Sequence, residues 1–195
     1  MNKVISSSVN ILDQLQDFIS SIDAATYQAS HKPMFDSSIG QHLRHILDLF
    51  QALIKNSDAP IIDYDIRQRG IPLETVQQEG IQALKIVRQW MTNLNEDDLK
   101  RSVTILTEVD LTEKYSAQLT SSFGRELVFA STHAVHHLAL MATIAKVLGC
   151  QVDAQYGVAP ATATYQRSLI TETDNTMLIE ESLQTEQPEQ SAQPA

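Results

Sequence analysis

Histidine is the residue type in this sequence with the clearest chemical pattern. The chain has six histidines, and five of them fall in two short segments: His42, His45, His133, His136 and His137. At 100° per residue, His133 and His137 lie about 40° apart on a helix and one turn apart along its axis, so both rings can reach one cation. Imidazole suits Zn, Ni, Cu and Fe, and a third histidine would leave a coordination position open for water or substrate. The pattern predicts a three-histidine metal site.

The third ligand is expected from the second predicted helix, which carries both His42 and His45. Both fall inside a widened apolar arc of that helix, so the helical geometry alone leaves the two alternatives open. His42 lies nearer the centre of the arc and His45 nearer its polar edge. Asp48 follows His45 by three residues and could accept an imidazole N–H, which would orient the ring.

Histidines clustered in this way also have a simpler interpretation, as hydrogen-bonded core residues without a metal. Burying five imidazoles would cost a few kcal/mol for each one that lacks a partner. A shared metal removes that cost, and the sequence therefore favours metal binding over a purely structural cluster.

Other charged side chains could complete an active site. Glu126 precedes His133 by seven residues and shares its helical stripe, so it could act as a general base or fix a ligand ring. Its alternative role is a first-turn residue that interacts with the helix dipole. Arg44, Arg67 and Arg69 could bind an anionic substrate, because guanidinium pairs with carboxylate in a bidentate fork.

Several chemistries are excluded by what the sequence lacks. There is no Gly-rich phosphate loop, which disfavours a nucleotide enzyme, and no Glu-x-x-His pair of the kind found in di-iron bundles. The single cysteine, Cys150, cannot form a disulfide within the chain and has no neighbouring histidine, so a structural thiol in a reducing compartment is expected. Haem binding by two histidines is the weakest alternative, since nothing else indicates a macrocycle pocket.

The hydrophobic periodicity predicts the helices that must position these residues. Helices are expected from about Val4 to Ala29, from Ser38 to about Asn56, from Leu73 to Leu94, and from about Gly124 to Leu148, where Gly149 ends the last one. Ser102 to Leu106 and Ala117 to Phe123 contain β-branched residues in an alternating pattern, which predicts a short extended pair or a long ordered loop. The expected fold class is all-α, a four-helix bundle with that extended pair before the last long helix.

Length and charge limit the domain count and the partners. The 195 residues, 43% hydrophobic, suit one domain, which we expect to span residues 1–170. Residues 171–195 hold six acidic and no basic side chains, and this composition predicts a disordered tail. The net charge of −10 opposes binding to nucleic acid. No apolar window is long enough to span a bilayer, and the N-terminus lacks the apolar core of a signal peptide. These two features predict a cytoplasmic protein without a membrane span.

The segment Ser38 to Ile46 followed by Thr132 to Leu138 resembles the DinB-like metal-binding four-helix bundles, and the resemblance covers roughly residues 1 to 150. In that family a histidine early in the second helix joins two histidines one turn apart on the last long helix. Matched residue by residue, the resemblance implies His45, His133 and His137 as the metal ligands. His42 and His136 are then additional histidines outside the ligand set. It also implies a divalent metal, Ni or Zn, and a homodimer.

The expected function follows from the site and the resemblance together. The family contains thiol-dependent transferases and isomerases, which implies a metal-dependent hydrolase or thiol transferase acting on a small molecule, with a low-molecular-weight thiol as one candidate partner. The metal would act by Lewis-acid polarisation or by activating water or a thiolate. The alternative, from another class, is a non-catalytic metal-binding or stress-response module.

Overall fold

The computed structural model describes residues 2–55 and 60–170. In chain order its elements are α1 (Lys3–Ser21), α2 (Ala24–Gln28), α3 (Ile39–Lys55), β1 (Ile61–Asp63), a 3₁₀ helix (Pro72–Glu74), α4 (Gln77–Thr92), α5 (Glu96–Lys100), β2 (Ser102–Glu108), β3 (Ser116–Ser122) and α6 (Phe123–Val147). The predicted disorder of residues 171–195 lies outside the described residues.

The chain divides into two compact units, Met1–Gly157 and Val158–Ala195. All elements named above belong to the first unit. In the described part of the second unit, residues 160–170 are helical. The predicted domain boundary at residue 170 stays a prediction.

The four longest helices pack around one apolar core. α1 contacts α4 and α6, and α3 contacts the same two helices. Their buried faces carry aliphatic and aromatic side chains at helical spacing, among them Leu12, Phe18, Leu43, Phe50 and Leu138. A hydrogen bond of 2.8 Å between the buried hydroxyls of Ser8 and Ser131 links α1 to α6.

The expected all-α class is wrong, because three strands form a mixed sheet with the order β1-β2-β3. The predicted extended pair is present as the antiparallel β2 and β3, in which Thr104 lies opposite Thr120. The sequence analysis missed β1, which pairs with β2 in parallel and places Ile62 opposite Ile105. Three residues are too few to show the alternation of polarity by which a strand is recognised, and this strand depends on its partner.

Two of the predicted helices are interrupted in the structure. The first ends at Ser21 because Ile22 is extended, and Asp23 then caps α2 by accepting a 2.7 Å hydrogen bond from the backbone N–H of Thr26. The third splits into the 3₁₀ helix and α4. The sequence analysis also missed α5, although Asn95 and Asp98 form the capping box that starts it.

Helix α6 follows the prediction closely and ends in a Schellman motif. Gly149 has a φ of 89°, and the backbone N–H groups of Gly149 and Cys150 donate to the carbonyls of Lys146 and Ala145. Within the described residues, α6 is also the one helix long and apolar enough to cross a membrane by length and composition, contrary to the expectation that no segment would be. Its packing against α1 and α3 is that of a core helix.

Gly40 lets the start of α3 approach the 3₁₀ helix very closely. A Cβ at this position would lie 2.1 Å from the carbonyl oxygen of Glu74 and 2.8 Å from the ring of Tyr27. The Tyr27 hydroxyl donates a 2.7 Å hydrogen bond to the carbonyl of Leu73. These contacts fix the position of the 3₁₀ helix beside the histidines of α3.

Candidate metal centre

The histidines are positioned by α3 and α6, which pack directly against each other. The start of α3 is fixed by Ser38, whose hydroxyl accepts from the backbone N–H of Gln41 while the Gln41 side chain accepts from the N–H of Ser38. His42 and His45 follow within the first two turns of α3. They face the middle of α6, where the neighbouring Ala134 and Leu138 are buried in the core.

Three of the five clustered histidines form a compact group. The Nε2 atoms of His45 and His133 lie 2.9 Å apart. One ring nitrogen from each of His45, His133 and His137 lies within 4.8 Å of the others, and all three residues are half-buried. The structure thus brings together the three ligands that the family resemblance implies, and this group could hold a metal ion.

His42 lies beside this group and contacts one of its members. Its Nδ1 atom is 3.0 Å from Nδ1 of His137. In this hydrogen bond one of the two nitrogens donates and the other accepts, so His42 engages the Nδ1 atom of His137. His136 is exposed, with its ring centre 5.4 Å from that of His137.

The rings are held in the protonation state that binds metals. Burial lowers the pKa of His137 to about 3, helped by the neighbouring His133, His45 and His42. Burial also lowers the pKa of His45 to about 4, with further contributions from His133 and from the positive charge of Arg67. The pKa of His133 is lowered for the same principal reason. Since neutral imidazole is the ligand form, this donor set fits a divalent cation such as Zn or Ni.

A buried ion-pair network borders the histidines. Arg44 donates to Asp48 and to Glu74, each at 2.9 Å, and the three side chains are 12%, 5% and 11% exposed. Asp48 also accepts from the backbone N–H of Gln68 at 3.3 Å. The sequence analysis suggested that Asp48 could accept a hydrogen bond from His45, but among the described residues the partners of Asp48 are Arg44 and Gln68. Arg44 and Asp48 instead join α3 to the segment that follows β1.

The histidines open onto a cavity of about 540 Å³. Its lining includes His42, His45, His137, Arg44, Glu74, Arg69 and Gly70. Of the three arginines predicted to bind substrate, the structure places Arg44 and Arg69 on this cavity. Arg67 lines a second cavity of about 530 Å³, which Arg69 also borders.

Glu126 lies away from the histidine cavity and is 2% exposed. Its carboxylate accepts hydrogen bonds from Tyr64 at 2.9 Å and from Ser121 at 2.7 Å. These bonds attach α6 to β3 and to the chain just after β1. The predicted catalytic role of Glu126 stays a prediction, and its contacts in the structure are those of a residue that holds the sheet on the helix.

Glu74 and Tyr64 were not singled out as individual site residues by the sequence analysis. Glu74 lies 30 residues from its partner Arg44, and no local spacing connects the two. Tyr64 lies just after β1, and its bond to Glu126 spans 62 residues. Such contacts depend on the tertiary packing.

The sequence model of the DinB family matches residues 2–174. The chain belongs to the DinB family. A solved structure of a DinB-like protein, YjoA from Bacillus subtilis, aligns with this DinB-family chain at a TM-score of 0.51 and 16% identity, covering 80% of this chain and 98% of that one. At that identity the likeness shows a shared fold.

A curated relative is similar over part of the chain. FK506-binding protein 5 of Rhizopus delemar is 30% identical over 102 residues, which is 52% of this chain and 26% of that protein. The chain therefore spans about a quarter of that relative's length.

Proposed function

We propose that this DinB-family protein is a divalent-metal-dependent enzyme that promotes attack by water or a thiol on a small molecule, as a hydrolase or a thiol-dependent transferase. The observation that carries the proposal is the group of His45, His133 and His137 beside a cavity of about 540 Å³. Three protein ligands with space beside them are typical of a catalytic site, whereas structural zinc sites use four.

The residues around the three histidines would have different roles in this function. His45, His133 and His137 would hold the ion as neutral ligands, and the bound ion would supply Lewis acidity. His42 fixes the ring of His137 through the contact between their Nδ1 atoms. The network of Arg44 with Asp48 and Glu74 fixes α3 relative to the cavity wall.

The test begins with the metal itself. Protein purified without an affinity tag should contain about one Ni or Zn ion per chain by elemental analysis. Since a ligand that binds only the native state stabilises it by about 2.7 kcal/mol at a hundredfold excess over Kd, chelation should lower Tm by roughly 5–10 °C. An unchanged melting curve and metal content after exhaustive chelation and metal return would exclude the site.

The second step is to test for catalysis. Metal-loaded protein is assayed for ester and amide hydrolysis and for transfer of low-molecular-weight thiols to electrophiles. We expect one of these activities to be lost in His45→Gln. A protein that binds one metal per chain yet catalyses none of them would favour the alternative, a non-catalytic metal-binding module.

A further inference from the structure

One guanidinium nitrogen of Arg67 is buried. Its Nη1 atom is inaccessible to solvent and has no partner among the described residues. Arg44, by contrast, is bonded to two carboxylates. A buried donor that lacks a partner is costly, and a charged one especially so. The Nη1 atom of Arg67 is therefore a buried donor near the site that the described residues leave unused.

The position of Arg67 connects it to the candidate metal centre. Arg67 lines the second cavity, of about 530 Å³, and Arg69 borders both this cavity and the one that contains the histidines. A molecule reaching from the histidines past Arg69 would meet Arg67.

Two of the three acidic side chains around the second cavity accept hydrogen bonds from other groups. Asp65 accepts from the backbone N–H of Glu108 and from the hydroxyl of Ser116. Asp110 accepts from the backbone and hydroxyl of Thr112. Glu108 lies on the same cavity but is exposed at the end of β2. Within the described chain no carboxylate forms an ion pair with Arg67, although three line its cavity.

We propose that Arg67 binds an oxyanion, a carboxylate or a phosphate, on a substrate whose reacting part lies at the histidines. The inference rests on the proposed function for the location of the reacting part and names the substrate class as anionic. A guanidinium offers paired N–H donors that match two oxygens of either group. Arg69, which is exposed and shared by the two cavities, would lie along the substrate between its two ends.

The test uses the full chain in metal-free form, dialysed free of chelator, so that no ion can bind the probe. Malonate and inorganic phosphate are titrated separately at low ionic strength, and binding is followed by calorimetry. We expect at least one probe to bind wild type, and the tighter of the two assigns carboxylate or phosphate. Arg67→Met should weaken that binding at least tenfold, and Arg67→Lys should retain part of it.

Arg101→Met is the matched control. Arg101 also has a buried guanidinium nitrogen without a partner in the described chain, but its guanidinium stacks on Phe123 at 4.7 Å and it lines neither cavity. Its loss should leave probe binding unchanged, and melting curves show that each variant is folded. Equal affinity in wild type and Arg67→Met, or no binding of either probe to wild type, would overturn the proposal. Because this assay contains no metal, its outcome is independent of whether the histidines bind one.

Discussion

The Nδ1 atoms of His42 and His137 lie 3.0 Å apart, so one of the two histidines outside the ligand set that the resemblance implies contacts a predicted ligand. A ring fixed through one nitrogen presents the other in a defined direction, which is how neighbouring groups orient metal ligands. His45 belongs to the three-histidine group that could hold a metal ion. We propose that His42 instead orients the ring of His137.

The first prediction compares the two α3 histidines. His45→Ala should abolish stoichiometric metal binding, because it removes a member of the group. His42→Ala should retain one metal per chain with about 10- to 100-fold weaker affinity, the usual effect of losing a group that orients a ligand. Competition titration with a chromogenic chelator measures both. Loss of metal in His42→Ala with retention in His45→Ala would reverse the assignment.

The second prediction concerns the pH dependence of the metal-free protein. The native pKa of His45 is about 4 and that of His137 about 3, while unfolded histidine titrates near 6.5. Below pH 6.5 the unfolded state binds protons that the native state does not, so the free energy of unfolding should fall as the pH decreases from 6.5 toward 4. Well above pH 6.5 both histidines are neutral in the native and the unfolded state, so they add no pH dependence to the free energy of unfolding.

Urea unfolding at several pH values measures this dependence. The double variant His45→Gln, His137→Gln should show a flatter profile between pH 6.5 and 4.5. The exposed His31 supplies a control, since His31→Gln should keep the wild-type slope. Identical slopes in the double variant and wild type would contradict the prediction.

The third prediction tests the buried ion-pair network. Arg44→Met leaves the carboxylates of Asp48 and Glu74 buried without their cation and should destabilise the fold by about 3–5 kcal/mol. Arg88→Met removes a comparable pair with Asp13, but those side chains are 44% and 40% exposed, so the loss should stay below about 1 kcal/mol. Chemical denaturation compares the two. Similar losses of stability in the two variants would show that the buried network stabilises the fold no more than an exposed ion pair does.

The fourth prediction separates the two roles of Glu126. Glu126→Gln weakens the bonds from Tyr64 and Ser121, and Tyr64→Phe removes one of them, so each should cost about 1–3 kcal/mol of stability. Both variants should keep their metal and their turnover in whichever assay proves positive. A selective loss of turnover in Glu126→Gln alone would instead support the general-base role.

The sequence was most informative where the pattern is local. The spacing of His133 and His137, the cap at Ser38 and the end of α6 at Gly149 all depend on residues within a few positions of one another, and the structure shows each as expected. The family resemblance supplied what spacing could not, the preference for His45 over His42.

The remaining features depend on contacts between distant residues. β1 is a strand because Ile61–Asp63 pairs with β2 some forty residues later, and three residues carry no readable period of their own. Arg44 was identified as a substrate-binding candidate, yet its burial between Asp48 and Glu74 appears only once the 3₁₀ helix packs on α3. Two local signals were overlooked, the cap that Asp23 provides to α2 and the capping box of Asn95 and Asp98 that starts α5.

The cavity beside the histidines has two walls of different construction. One consists of α3 and α6, whose packing is tied to the core, and the other includes Arg69 and Gly70 in an irregular stretch between β1 and the 3₁₀ helix. Substitutions in this irregular stretch are therefore the route by which substrate preference could be changed, because they leave the packing of α3 and α6 intact. Redesign through α3 would be far more restricted, since even a methyl group at Gly40 collides with the backbone of Glu74.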